Sequence, residues 1–257
     1  MRKTIFIASI VLLSIIMICT LCMAEEADYY DWKGLKSCSA KNYSGSIAYF
    51  DQSIEMDPTY IDAWVHKGDA LKAMKDYNGS VDSYLGALQK DNKTRAAWSG
   101  MIEDYVALND YGRAAEAAGK LTEIDPGSKE RWLTEGNLLQ MKGDYENASK
   151  RYERALNLDP RYRDALYRRA LGLIALGDNA EALSLLDKTL AIDPKYKMAY
   201  NAKGLILEAQ GRYESACEAY ENASRIDPAW SQSKINNMQC LQALGRTDEA
   251  MMILSTL

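Results

Sequence analysis

The chain has 257 residues, of which 47% are apolar and 26% charged, a balance that excludes a disordered or collagen-like polymer and permits one or two ordinary domains. Its formal net charge is −5, and discounting Arg2 and Lys3 leaves 29 basic against 36 acidic residues, which disfavours a nucleic-acid partner.

The first element is a stretch without charge, Thr4 to Ala24, 21 residues long and preceded by Met-Arg-Lys. It is long enough to span a bilayer as a hydrophobic helix. Small residues before Glu25 also suit a signal peptidase, so residues 1–24 read equally as a cleaved signal peptide or a retained transmembrane anchor. Cys19 and Cys22 lack the small preceding residue of a lipoprotein box, which argues against lipidation. Basic residues flank the stretch on both sides, Arg2 and Lys3 against Lys33, Lys36 and Lys41, and leave orientation open. Five of the twelve asparagines (Asn42, Asn78, Asn92, Asn147 and Asn222) stand in N-x-S/T sequons. Outward-facing glycosylation explains this excess, and so does the ordinary preference of turns for Asn and Ser.

From residue 27 a single period governs the chain. Its five prolines (58, 126, 160, 194 and 228) are separated by multiples of 34 residues, and an aspartate recurs at 57, 91, 125, 159, 193 and 227. Proline cannot continue a helix and pushes its predecessor out of the helical region, so each Asp-Pro marks a stop. Counting from Ala27 gives six full repeats, 27–60, 61–94, 95–128, 129–162, 163–196 and 197–230, and a remainder, 231–257. Within each repeat two helices are predicted. The first carries Tyr30, Trp64, Trp98, Trp132, Leu166 and Tyr200 at frame position 4, with glycine at position 8 in Gly34, Gly68, Gly136 and Gly204. Turn sequences such as Lys41-Asn-Tyr and Gly143-Asp-Tyr separate it from the second. That second helix places a small residue at position 20 (Ser46, Ser80, Ala114, Ala148, Ala182, Ala216 and Ala250) and bulk at position 24 (Phe50, Tyr84, Tyr152, Leu186, Tyr220 and Leu254). Small against large interlocks facing helices. Isolated helices of this length are marginal in water, so the repeats must stack to build a core.

These residues resemble the tetratricopeptide repeat family, whose pattern asks for W/L/Y at 4, G/A/S at 8, A at 20, F/Y at 24, A at 27 and P at 32. The resemblance covers residues 27–257 and implies an all-α fold, a right-handed α-solenoid superhelix of helix-turn-helix repeats, here preceded by an N-terminal hydrophobic helix. Lys33 and Ser37 depart from the pattern in the first repeat, as do Ile102, Ala118 and Leu121 in the third. The polar remainder suits a terminal cap.

Nothing points to catalysis. His66 is the only histidine, at position 6 of a first helix, and reads as a surface or groove residue. No Cys/His/Asp cluster has metal spacing and no glycine loop cradles phosphate, so neither cofactor nor small-molecule substrate is expected. Trp64, Trp98 and Trp132 read as packing residues, and Arg161, Arg163, Arg168 and Arg169 as a solvated surface. Beyond the apolar stretch, Cys38, Cys217 and Cys240 are odd in number. Cys217 and Cys240, in neighbouring repeats, can approach each other, but buried free thiols are the commoner state.

The family resemblance implies a concave groove lined by positions 2, 5, 9 and 12 of the first helices. Its early repeats would show Asp28, Asp31, Asp62, Asp69, Glu103 and Glu130, with Lys72 opposing; the later ones Tyr167, Leu171, Ile174, Met198, Asn201 and Leu205. The Lys/Asn clamp by which some family members hold a chaperone C-terminal carboxylate is not matched, since positions 5 and 9 carry Asp31, Leu35, Val65, Asp69, Leu133 and Asn137. The expected function is a non-enzymatic scaffold, extracytoplasmic and secreted or tethered through residues 4–24, binding a peptide or helical segment with apolar anchors and a basic flank. A cytoplasm-facing anchored receptor and an accessory subunit of an envelope enzyme are the alternatives.

Overall fold

The computed structural model describes residues 23–255. The readings placed on residues 1–22, including the hydrophobic helix, lie outside them. Among the described residues every regular element is a helix, and none is long and apolar enough to cross a membrane. They fall into two compact bodies, divided between Ile124 and Asp125.

The N-terminal body contains α1 (residues 23–39), α2 (Tyr43–Met56), α3 (Ile61–Ala73), α4 (Tyr77–Lys90), α5 (Arg95–Ala107) and α6 (Tyr111–Ile124). The C-terminal body contains α7 (Lys129–Lys142), α8 (Tyr145–Leu158), α9 (Arg163–Leu176), α10 (Asn179–Ile192), α11 (Lys197–Ala209), α12 (Tyr213–Ile226), α13 (Ser231–Ala243) and α14 (Thr247–Leu254). Odd-numbered helices are the first helices of the frame and even-numbered ones the second.

Local chemistry places each break. Between first and second helices the chain turns through one left-handed residue, Gly143, Gly177, Gly211 and Gly245 in the C-terminal body. At the same place the N-terminal body uses Lys41, Lys75 and Asn109, at φ of 60°, 65° and 59°. The next helix is then capped by a side-chain oxygen: those of Asn42, Asp76, Asp144 and Asp178 accept the amide N–H three residues on. Between repeats, the recurrent aspartate folds the chain itself. The Oδ1 atoms of Asp57, Asp91, Asp159, Asp193 and Asp227 each accept an amide N–H two residues later, at 2.8 to 3.0 Å. This is why Asp91 persists where Asn92 replaces proline: the carboxylate makes the turn and proline only reinforces it.

Helix pairing follows the alternation of small and large. The side chains at position 20, from Ser46 to Ala250, are buried, and so are Phe50, Tyr84, Tyr152, Leu186 and Tyr220 at position 24. The rings of position 24 lie on the glycines of position 8: a Cβ built on Gly34, Gly68, Gly136 or Gly204 would strike Phe50, Tyr84, Tyr152 or Tyr220. The departures at these two positions of the third repeat now make sense, because Ile102 goes with Ala118, just as in the fifth repeat Ala170 goes with Leu186. When one position grows its partner shrinks. Leu254 escapes the rule and is exposed, since α14 ends there.

Three pairs of consecutive first helices touch directly (α3 with α5, α7 with α9, α9 with α11), whereas consecutive second helices have no comparable contact. The first helices therefore form the tighter side of each row.

Candidate functional site

In the N-terminal body the acidic first-helix positions divide into three kinds. Asp28 and Asp62 are exposed. Asp69 and Glu103 belong to a polar set: Lys72 Nζ donates to Glu103 at 2.7 Å and lies 3.6 Å from Asp69, while the Tyr84 hydroxyl donates to Asp69 at 2.6 Å. Burial and that acceptor push the Tyr84 hydroxyl pKa up. Asp31, expected to face the groove, is instead buried, and its carboxylate meets His66 Nδ1 at 2.8 Å. This also corrects the reading of His66, which is half-buried against the first repeat: it meets Asp31 of α1, its ring lies 5.8 Å from that of Phe50 on α2, and the bond to Asp31 raises its pKa. Position 5 of one repeat and position 6 of the next approach across the stack, a contact between repeats that periodicity within a repeat does not announce.

One buried carboxylate was not anticipated. Asp104 is wholly buried, and neither of its oxygens has a hydrogen-bond partner. The neighbouring Ser80 hydroxyl donates to Gly68 O at 2.8 Å and so has no proton to offer. Desolvation raises the Asp104 pKa. A polar residue at frame position 10, where Ala70, Leu138 and Ile206 are buried, was the available signal.

In the C-terminal body Glu130 is exposed at the start of α7, where its own amide and the Ser128 hydroxyl lower its pKa. Tyr167, Leu171 and Ile174 are half-buried against the core of α9, α10 and α11, so packing uses much of their surface. The Tyr167 ring meets Tyr196 edge-on at 5.1 Å. Asn201 accepts a bond from Asn236 Nδ2 at 2.9 Å. Met198 and Leu205, seven residues apart on one face of α11, remain 39% and 49% exposed. The expected apolar stripe thus narrows to Met198 and Leu205 with the outer part of Leu171 on the touching helix α9.

A second repeated feature frames this face. Lys129, Arg163 and Lys197, at position 1, each pair with the turn aspartate 30 residues later, Asp159, Asp193 and Asp227. Each cation also lies over an aromatic ring at position 34: Lys129 over Tyr162 at 4.7 Å, Arg163 over Tyr196 at 4.6 Å and Lys197 over Trp230 at 5.1 Å. Arg163 is therefore a structural cation. The register (base at 1, acid at 31, ring at 34) is visible in the sequence once those positions are compared.

Elsewhere the tryptophans pack as expected, with Trp64, Trp98 and Trp132 donating their ring N–H to the carbonyls of Pro58, Asn92 and Pro126. The expectation of free thiols at Cys217 and Cys240 is corrected: they form a disulfide between α12 and α13, whose Cα atoms stand 5.7 Å apart, within bridging range. Cys38 is free. Of the sequon asparagines, Asn42, Asn78, Asn92 and Asn147 are exposed and Asn222 is half-buried. Among the described residues no group of three His, Cys, Asp or Glu side chains could hold a metal ion.

Comparison with known proteins matches this geometry. Residues 133–197 and 167–229 fit one profile described as a tetratricopeptide repeat, and residues 61–93 fit a second. The uncharacterized protein MJ0572 of Methanocaldococcus jannaschii is 34% identical over 50 residues, 20% of this chain and 58% of that protein, so the chain spans little more than half of that relative. Among solved structures, MamA superposes with a TM-score of 0.58 at 24% identity, over 64% of this chain and 96% of that one. YrrB, a TPR protein with an unusual peptide-binding site, superposes with a TM-score of 0.60 at 21% identity, over 72% and 95%. At such identity these two likenesses concern the fold alone. With the 34-residue frame, the paired helices and the matching profiles together, the chain belongs to the tetratricopeptide repeat family.

Proposed function

We propose that this protein is a non-enzymatic interaction scaffold, and that the first-helix face of its C-terminal body holds a segment of a partner protein. The observation that carries the reading is the pair Met198 and Leu205, large apolar side chains left open on a face where neighbouring first-helix residues are packed. YrrB, a fold neighbour with a peptide-binding site, supports a polypeptide as the ligand class. Apolar anchors spaced by two helical turns suit an extended or helical segment. Glu130, exposed on the same body, favours a basic flank on that segment, bound more weakly as salt screens it. The right-handed winding of each row follows the family pattern.

The placement we propose is extracytoplasmic, with residues 4–24 as tether or removed signal. Five sequons support it, and a mass shift at Asn147 on expression in a glycosylating host tests it. For the binding face the test is Leu171→Asp combined with Leu205→Asp, measured against a partner obtained by crosslinking. Each lost anchor is worth about 1.5–3 kcal/mol, so affinity should fall at least tenfold. Unchanged affinity would remove the groove from the account.

A further inference from the structure

In the repeats after the first, frame position 3 is where a first helix closes on its predecessor. Ala63, Ala97, Ala165, Ala199 and Ser233 are each 0% exposed there, Arg131 being the larger exception. Position 10 is likewise buried, in Ala70, Asp104, Leu138, Gly172, Ile206 and Cys240. The first repeat breaks both rules, with Tyr29 at position 3 and Lys36 at position 10, both exposed. Trp32, one turn from each, is 54% exposed. These side chains form one ordered stripe: the rings of Tyr29 and Trp32 stack at 6.2 Å, Lys33 Nζ stands 4.3 Å from the Tyr29 centroid, and Lys36 Nζ stands 5.2 Å from that of Trp32.

We infer that this stripe on α1 is a lipid-interface anchor that seats the first repeat on the headgroup layer of a bilayer. Amphipathic rings flanked by lysines whose stems lie on apolar surface are the side chains that headgroups retain. Position along the chain agrees. Ala24 ends the 21-residue apolar stretch, and α1 is helical from residue 23. At 1.5 Å per residue Tyr29 and Trp32 stand about 8 and 12 Å beyond Ala24. The interfacial layer is about 5–8 Å deep on each side of the hydrocarbon. Helical side chains lean back toward the N-terminus, which brings both rings down into that layer. Glu25, Glu26 and the exposed Asp28 outnumber Lys33 and Lys36, so ring burial and not net charge provides the attraction, and zwitterionic lipid is sufficient. The inference rests on the tethered reading of residues 4–24 and adds to it a second, specific contact.

The test uses the full chain reconstituted in phosphatidylcholine vesicles. Subtracting the fluorescence of Trp32→Phe isolates Trp32 from Trp64, Trp98, Trp132 and Trp230, and the difference is read with a nitroxide on the lipid headgroup or iodide in the water. A chain that floats with the vesicles should lose about half or more of its Trp32 signal to the headgroup nitroxide, as expected for a ring at that level. A floating chain whose Trp32 responds to iodide alone overturns the stripe and leaves the tether standing. Shielding from both quenchers means that protein covers the stripe, and overturns it equally. A chain that fails to float removes tether and stripe together.

Discussion

The pairing of position 8 with position 24 predicts how two substitutions combine. A Cβ on Gly136 would lie 2.5 Å from Tyr152 Cε1 and 2.8 Å from Cδ1, and Tyr152 is wholly buried, its hydroxyl donating to Gln140 Oε1 at 2.7 Å. Gly136→Ile alone should cost about 1–3 kcal/mol through overpacking, offset by a few tenths from better helix propensity. Tyr152→Ala alone should cost about 3–5 kcal/mol through the cavity it leaves. Made together, they transplant Ile102 and Ala118 of the third repeat into the fourth, so the isoleucine enters the space the ring has vacated. The double variant should therefore be less destabilised than the sum by about 0.5–3 kcal/mol, the range of coupling for residues in contact. Urea unfolding followed by circular dichroism supplies the totals. Amide exchange on α7 and α8 localises them, which matters because repeat arrays can unfold in pieces. A double variant that equals the sum to within about 0.5 kcal/mol would show that the two positions do not share space, and the reasoning about the third repeat would fail.

Asp104→Leu should stabilise the N-terminal body by about 1–3 kcal/mol at neutral pH, because it removes a buried carboxylate without partners. Since the folded-state pKa of Asp104 is raised, the wild-type chain carries the full cost above that pKa. It recovers stability as pH falls toward the unfolded carboxylate value, so the gain measured by urea midpoints should shrink with acid; a gain independent of pH contradicts the assignment. Reducing Cys217–Cys240, which are 23 residues apart, should lower the unfolding free energy of the C-terminal body by about 3 kcal/mol. The Cys217→Ala, Cys240→Ala variant should then be insensitive to dithiothreitol, and a parent chain equally insensitive would deny the bond. Lys75→Gly should raise the thermal midpoint by relieving a non-glycine residue at φ of 65°, a gain of about 1 kcal/mol; a loss would mean that the Lys75 side chain makes a stabilising contact.

Much of this fold is readable from periodicity, because the residues that set it act within one repeat. A turn aspartate, a capping Asn or Asp, a small residue at 20 and a ring at 24 each do local work, and each recurs at 34-residue spacing. Most of what escaped reading involves contacts between repeats. Asp31 looked like a groove acid because its position is assigned within its own helix, yet His66 of the next repeat covers it. Tyr167, Leu171 and Ile174 looked like an open stripe for the same reason, and neighbouring helices take up part of each. Cys217 and Cys240 occupy facing positions that only the geometry of stacking brings to 5.7 Å. Ile102 and Ala118, separately two departures from the pattern, are one compensated pair, legible only once it is known which positions meet.

The central claim is that the first-helix face of the C-terminal body engages a protein. Hydrogen–deuterium exchange of the chain with and without its crosslinked partner examines that claim directly. Amides of α9 and α11 around Leu171, Met198 and Leu205 should slow on binding while those of α10 and α12 stay as they were. Protection confined to α10 and α12, or absent from the whole body while the partner is bound, would contradict it.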